Sequence, residues 1–164
     1  MKKILLGLGF SVLFLGCSKD KSQCMYDVCA VSAPAAEVTA LESYLTTNSI
    51  IATKHCSGYY FIIDAAGSGA APNICSGVSV KYKGALLSGV IFDQTTTAAV
   101  NFNLNSLIEA WKKCIMQVKP GGKIRIWAPP SLCYGANPVR DNTGSIVIPA
   151  NSTLYFEIEL VAVL

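Results

Sequence analysis

The chain has 164 residues, with 13 basic and 10 acidic side chains, a single histidine and 52% hydrophobic residues. That length suffices for one domain with a real core. The near-balanced charge gives a nucleic-acid partner no electrostatic support, and one histidine without a carboxylate cluster leaves a histidine-based hydrolase or a metal centre short of parts.

Lys2 and Lys3 precede a largely apolar stretch from Ile4 to Leu15, followed by Gly16 and Cys17. A charged start, a short apolar run and a small residue before the break are the parts of an export signal. A helix of that length rises about 18 Å, too little for a hydrocarbon core of about 30 Å. Phe14-Leu15-Gly16-Cys17 resembles a bacterial lipobox, with Phe14 where Leu is usual. The resemblance implies residues 1–16 as a signal peptide and Cys17 as the lipid-modified first residue of the mature chain. An ordinary secretory signal with a free cysteine is the alternative.

Besides Cys17 the chain carries Cys24, Cys29, Cys56, Cys75, Cys114 and Cys133. An even set in an exported protein points to disulfides, whose connectivity sequence alone leaves open. Pairing between neighbours is the expectation: Cys24 with Cys29 across a local loop, Cys56 with Cys75 around one strand, Cys114 with Cys133 around a turn and strand. A zinc site, the rival use, lacks any Cys-x₂-Cys.

Residues 17–33 are polar and read as a flexible tether. A helix follows over 34–48, with Val38, Leu41 and Leu45 as its apolar stripe. Tyr59 to Ile63 is a β-rich run opened by Ser57-Gly58 and closed by Ala66-Gly67-Ser68-Gly69. Val78, Val80 and Tyr82 alternate with Ser79, Lys81 and Lys83, and Val90 to Asp93 starts another strand after the Ser88-Gly89 turn. Val100, Phe102 and Leu104 alternate again, and Asn105-Ser106 is placed to cap a helix carrying Leu107, Ile108, Trp111 and Ile115 on one face. Pro120-Gly121-Gly122 turns that helix back onto a strand in which Ile124, Ile126 and Ala128 alternate with Lys123, Arg125 and Trp127. A loop rich in Asn, Pro, Asp and Gly leads to Ile148-Pro149, and Thr153 to Val161 is the alternating final strand. Strands outnumber helices and short hairpin-like links predominate, which indicates an α+β domain: an antiparallel sheet with a helix across one face. His55 reads as a solvated loop residue.

Val78-Ser79-Val80-Lys81-Tyr82-Lys83-Gly84 with Gly89-Val90-Ile91-Phe92-Asp93 resembles a signature of the FKBP-type peptidyl-prolyl cis-trans isomerases. Leu107-Ile108-x-x-Trp111, Lys119-Pro120-Gly121-Gly122, Pro129 to Gly135, Ile148-Pro149 and Leu154-x-Phe156-x-Ile158-x-Leu160 follow in that family's order. Each motif alone is weak; several in register are specific. The resemblance covers about Gly58 to Leu164 and implies an FKBP-like domain over 57–164, a strongly twisted antiparallel sheet wrapped around a short helix, with the helix over 34–48 as an addition similar to secreted bacterial members.

By position, the resemblance implies catalytic roles for Tyr82, Phe92, Asp93, Trp111 and Tyr134. Trp111 would floor an apolar pocket, Asp93 would sit at its rim, and the Tyr134 hydroxyl would donate to the bound peptide. Val100, Leu107, Ile108, Ile148 and Phe156 would line the substrate site, with the Ile108 backbone N–H as a second donor. Val100 stands where the family commonly has an aromatic, Asn105 replaces a usual glycine, and the 136–147 loop is longer than in minimal members. No cofactor and no metal is implied. The partners would be proline-containing exported polypeptides and, through the lipid, a membrane; the place would be a bacterial cell envelope, at the outer membrane. Two rival functions remain at this stage: a non-catalytic peptide-binding or chaperone module on the same fold, and a disulfide-active protein, which lacks Cys-x-x-Cys.

Overall fold

A computed structural model describes residues 24–164; the signal-peptide and Cys17 readings fall outside the described residues. The clean alternation of Val78, Val80 and Tyr82 builds the central strand β3 (Gly77–Leu86). β3 runs antiparallel to the final strand β9 (Leu154–Val163), with Tyr82 opposite Ile158 and Gly84 opposite Phe156. Beyond β9 lie β6 (Lys123–Ala128), β2 (Tyr60–Ala65) and the short β1 (Thr53–Lys54). On the other side of β3 come β4 (Ile91–Gln94) and β5 (Val100–Asn103), completing a seven-stranded sheet. Every pairing in it is antiparallel.

The α+β expectation holds, but hairpin-like links do not dominate. Strands consecutive in sequence pair only as β1–β2, β3–β4 and a separate small pair, β7 (Val139–Arg140) with β8 (Ile146–Ile148), that occupies the expected loop. The middle of the sheet is made by β6, β9 and β3, distant in sequence. The reason is burial: Val78, Val80, Ile124, Ile126, Ile158 and Leu160 are at most 2% exposed, and central strands have the most neighbours to cover them.

Helix α2 (Glu109–Ile115) crosses the inner face, with Ala110, Trp111, Cys114 and Ile115 in the core against β3, β6 and β9. Asn105 and Ser106 do not cap it. The chain instead makes a 3₁₀ turn over Leu104–Ser106, the Ser106 hydroxyl donates to the Asn103 carbonyl at 2.7 Å, and Ile108 is still extended at the helix threshold. Leu107 and Ile108 therefore precede the helix rather than ride on it.

The outer face is covered too. Helix α1 (Ala35–Thr47) packs Val38, Leu41 and Leu45 against Tyr60 and Trp127 in a second, smaller core. Alternation along β6 puts Trp127 on the polar side with Lys123 and Arg125, yet it is 5% exposed because α1 lies over it. Burying each of these Val and Leu side chains contributes roughly 1.5–3 kcal/mol.

The cysteines depart from neighbour pairing. The disulfides are Cys24–Cys75 and Cys29–Cys56, and Cys114 and Cys133 are free thiols. Residues 28–30 form a turn that sends Cys24 and Cys29 to two different loops, those leading into β3 and β2. Cys114 is wholly buried and directs its thiol to the Trp111 carbonyl at 3.6 Å. The same segment corrects the tether expectation over 24–33. Tyr26 donates to the Glu109 carboxylate, and the fully buried Lys113 ammonium donates to the Val28 carbonyl at 2.8 Å. Lys113 also lies 3.4 Å from Glu109 and 5.1 Å from the Tyr26 ring centre. A buried ammonium persists only when paired in this way, so residues 24–31 are a strap over α2.

Candidate active site

β3, β4, β5 and β9 bring an aromatic cluster together around Trp111 of α2. Tyr82, Phe102 and Phe156 stand edge-on to the Trp111 indole, with ring centres 5.0, 6.0 and 5.5 Å away. Phe92 meets Phe156 edge-on at 5.8 Å. Such geometry sets the positive edge of one ring against the negative face of another. Between Gly84 and Ala85 the β3–β4 register shifts, pairing Asp93 and Ile91 but leaving Phe92 as the extra residue. Bulges of this kind re-aim a side chain, here toward the cluster. Gly84 leaves the space: a Cβ on it would lie 2.6 Å from the Phe92 ring and 3.0 Å from the Phe156 ring.

Trp111 is 5% exposed and its indole N–H has no hydrogen-bond partner among the described residues. An unsatisfied buried donor costs about 1–3 kcal/mol and is uncommon in a core that has no other task. At the rim the Tyr82 hydroxyl donates to Asp93 at 2.6 Å. Burial first, and then this bond, push the Tyr82 phenol above its ordinary range; burial, with the charge of Asp93 adding to it, does the same for Tyr134. Both hydroxyls are therefore protonated donors at neutral pH, and neither is a base.

Tyr134 follows the 3₁₀ turn Pro130–Leu132 and is 37% exposed. Its hydroxyl and the Ile108 backbone N–H make no hydrogen bond among the described residues; the first bonds of α2 run to the Ile108 carbonyl instead. Two free donors thus flank the aromatic cluster. Leu107 and Ile108 are half-buried against the same core, and Ile148 is 2% exposed within it. Val100 is the exception: at the start of β5 it is 41% exposed and outside the ring contacts. Phe102, two residues along the same face, makes the contacts there. Sequence reasoning passed over Phe102, although the Val100-Phe102-Leu104 alternation put an aromatic on the inner face.

Among the described residues no group of three or more His, Cys, Asp or Glu could hold a metal ion. His55 is not solvated as expected but stacks on Tyr59 at 4.5 Å, with burial and the nearby Lys113 charge lowering its pKa. The arrangement around Trp111 can grip an apolar ring in an aromatic box and hold flanking carbonyls by neutral donors.

Residues 69–161 match the family model described as FKBP-type peptidyl-prolyl cis-trans isomerase. The chain is similar to FkpA, an FKBP-type peptidyl-prolyl cis-trans isomerase of Buchnera aphidicola, at 38% identity over 112 residues, 67% of this chain and 44% of that protein. Its fold is similar to the crystal structure of Escherichia coli FkpA, with a TM-score of 0.66 and 34% identity, covering 79% of this chain and 60% of the other. It is equally similar to a peptidyl-prolyl cis-trans isomerase from Pseudomonas syringae, with a TM-score of 0.66 and 30% identity, covering 82% of this chain and 98% of that one. The chain spans about two fifths of the length of the curated relatives it matches.

Proposed function

The chain belongs to the FKBP-type peptidyl-prolyl cis-trans isomerase family, and on that premise we propose that it catalyses rotation about X-Pro bonds in exported polypeptides. The observation that carries the reading is the box of Tyr82, Phe102 and Phe156 edge-on around Trp111. Rotation about a peptide bond meets a barrier of about 18–20 kcal/mol, and X-Pro isomerisation takes tens to hundreds of seconds unaided. The twisted transition state has lost amide resonance, so its carbonyl is less polar than in the planar ground state. A water-poor aromatic box around the proline ring favours that less dipolar state. Each 1.4 kcal/mol of such preference gives about tenfold in rate.

In this reading Trp111 is the floor, and Tyr82, Phe92, Phe102, Ile148 and Phe156 are the walls. The Tyr134 hydroxyl and Ile108 N–H take the peptide carbonyls. Asp93, tied to Tyr82, lies at the rim by the bond that turns, and Leu107 and Ile108 close one side. Proton transfer has no part, in keeping with the upward shift of both phenols. A protease-coupled isomerisation assay on a short prolyl peptide tests this. Accelerated cis-to-trans conversion, lost in Trp111→Ala combined with Tyr134→Phe, is the expected result; peptide binding without acceleration would make the protein a binding module instead.

The proposed setting is a bacterial envelope, with the chain anchored by lipid on Cys17. Support comes from the signal-like residues 1–16, the lipobox-like break and the two disulfides, which persist in oxidising compartments. Mass spectrometry of the mature N-terminus checks it: a diacylglyceryl-modified Cys17 is expected, and an unmodified Cys17 refutes the anchor.

A further inference from the structure

The loop 129–135, which delivers Tyr134, is held mostly by bonds within itself. The Leu132 N–H donates to the Pro129 carbonyl at 3.1 Å, and the Cys133 and Gly135 N–H groups both donate to the Pro130 carbonyl at 2.9 Å. At its far end the Asn151 N–H donates to the Gly135 carbonyl at 2.7 Å. Its near end is tied to an element 94 residues away: Glu37, in the first turn of α1, accepts from the Ser131 N–H at 3.0 Å and from the Ser131 hydroxyl at 2.8 Å, both on Oε2. The carboxylate is also felt within the loop, where its charge adds to the dominant effect of burial in pushing the Cys133 thiol up.

We propose that Glu37 is a positioning residue for the isomerase site, holding the 129–135 loop so that the Tyr134 hydroxyl faces the substrate rather than bulk water. The inference rests on the isomerase reading given above. Helix α1 packs on the sheet face opposite Trp111, and this contact is where it meets the loop that carries Tyr134. Bonds to an ionised carboxylate are roughly twice as strong as neutral ones. Tyr134 itself is 37% exposed and makes no hydrogen bond among the described residues that would hold its ring in place. Misplacing a substrate-contacting group by about 1 Å can cost roughly 100-fold in rate, so a modest relaxation of the loop registers in catalysis long before it registers in folding.

The test is a set of variants assayed for kcat and KM on a short prolyl peptide, with thermal melting and amide hydrogen exchange alongside. Glu37→Ala is expected to lower kcat/KM by about 3–10-fold and to speed amide exchange across residues 131–135 while exchange in β3 and β9 stays unchanged. Glu37→Gln retains an accepting oxygen and should recover most of the activity; Ser131→Ala, which loses one of the two bonds, should fall between. In a Tyr134→Phe background, Glu37→Ala should add less than about twofold, because the hydroxyl it positions is gone. Equal losses in both backgrounds, or unaltered exchange in the loop, overturn the proposal. A Glu37→Ala protein that does not fold passes the test to Ser131→Ala, read in the same way. Wild-type protein that does not accelerate isomerisation sinks the isomerase reading instead, while the exchange data still decide whether Glu37 holds the loop.

Discussion

The Cys24–Cys75 disulfide makes a quantitative claim about stability. Its half-cystines are 51 residues apart, and closing an isolated loop of that size is worth about 4 kcal/mol in chain entropy. The Cys29–Cys56 bond already short-circuits 27 of those positions. About 25 residues then remain to be closed, which lowers the contribution to roughly 3.5 kcal/mol. The double variant Cys24→Ser/Cys75→Ser removes the bridge without leaving a stray thiol. For a domain of this size each kcal/mol moves the melting midpoint by about 2–4 °C, so the oxidised variant should melt roughly 7–14 °C below wild type. Urea titration at constant m-value is the companion measurement. The matching change Cys114→Ser/Cys133→Ser removes no bridge and should lack this loop-closure loss, with peptide mapping finding both thiols unpaired. A shift under about 1 kcal/mol in the first variant, or a 114–133 crosslink in the map, would refute the connectivity and the reasoning built on it.

Three further outcomes follow from the structure. Phe102→Ala should lower kcat/KM for a prolyl peptide by about tenfold through the lost edge-to-face contact with Trp111, while Val100→Ala changes it less than about twofold; equal effects would remove Phe102 from the site. Glu109→Gln leaves the buried Lys113 ammonium without its carboxylate and should cost about 2–3 kcal/mol in urea unfolding, more than Lys113→Met, which removes the charge itself. Stability should also fall with acid in two stages. Burial holds the His55 pKa below its ordinary value, so below about pH 6.5 the unfolded chain takes up a proton that the folded one resists, and stability drops as pH falls. The Asp64 carboxyl is held down by its Arg125 bonds, and Glu109 by the bonds from Tyr26 and Lys112 that outweigh its burial. Their contribution is present above the unfolded carboxyl range, near pH 4, and is lost as pH falls below it. His55→Gln should abolish the first stage in a pH series of melting curves and leave the second.

What could be read in the sequence was whatever depends on local periodicity. β3, β6 and β9 announced themselves by alternation, and Trp111 by its place on the apolar face of a helix that packs on them. What was missed depends on partners far along the chain. Trp127 looks solvent-facing in β6 until α1, some eighty residues earlier, is laid over it. Lys113 is enclosed by Tyr26 and Val28, far back along the chain, as well as by Glu109 one turn before it. The disulfides follow the path of the strap across the fold rather than spacing, which is why neighbour pairing failed. Phe102 carries its signal in plain alternation, on the same face as Val100, the position that the resemblance implies.

The covalent link from Cys24 to Cys75 also decides how the molecule bears tension. A pull on the chain ahead of residue 24 enters the fold at Cys24 and passes through the disulfide to Cys75, two residues before β3. The loop between them, with the strap, α1, β1 and β2, lies off the load path and is not stretched. From Cys75 the force runs along β3, the strand zipped to β9, β4 and β5 and bearing Tyr82. Load applied ahead of residue 24 and borne at Tyr82 thus runs along the strand that pairs with three others, β9, β4 and β5.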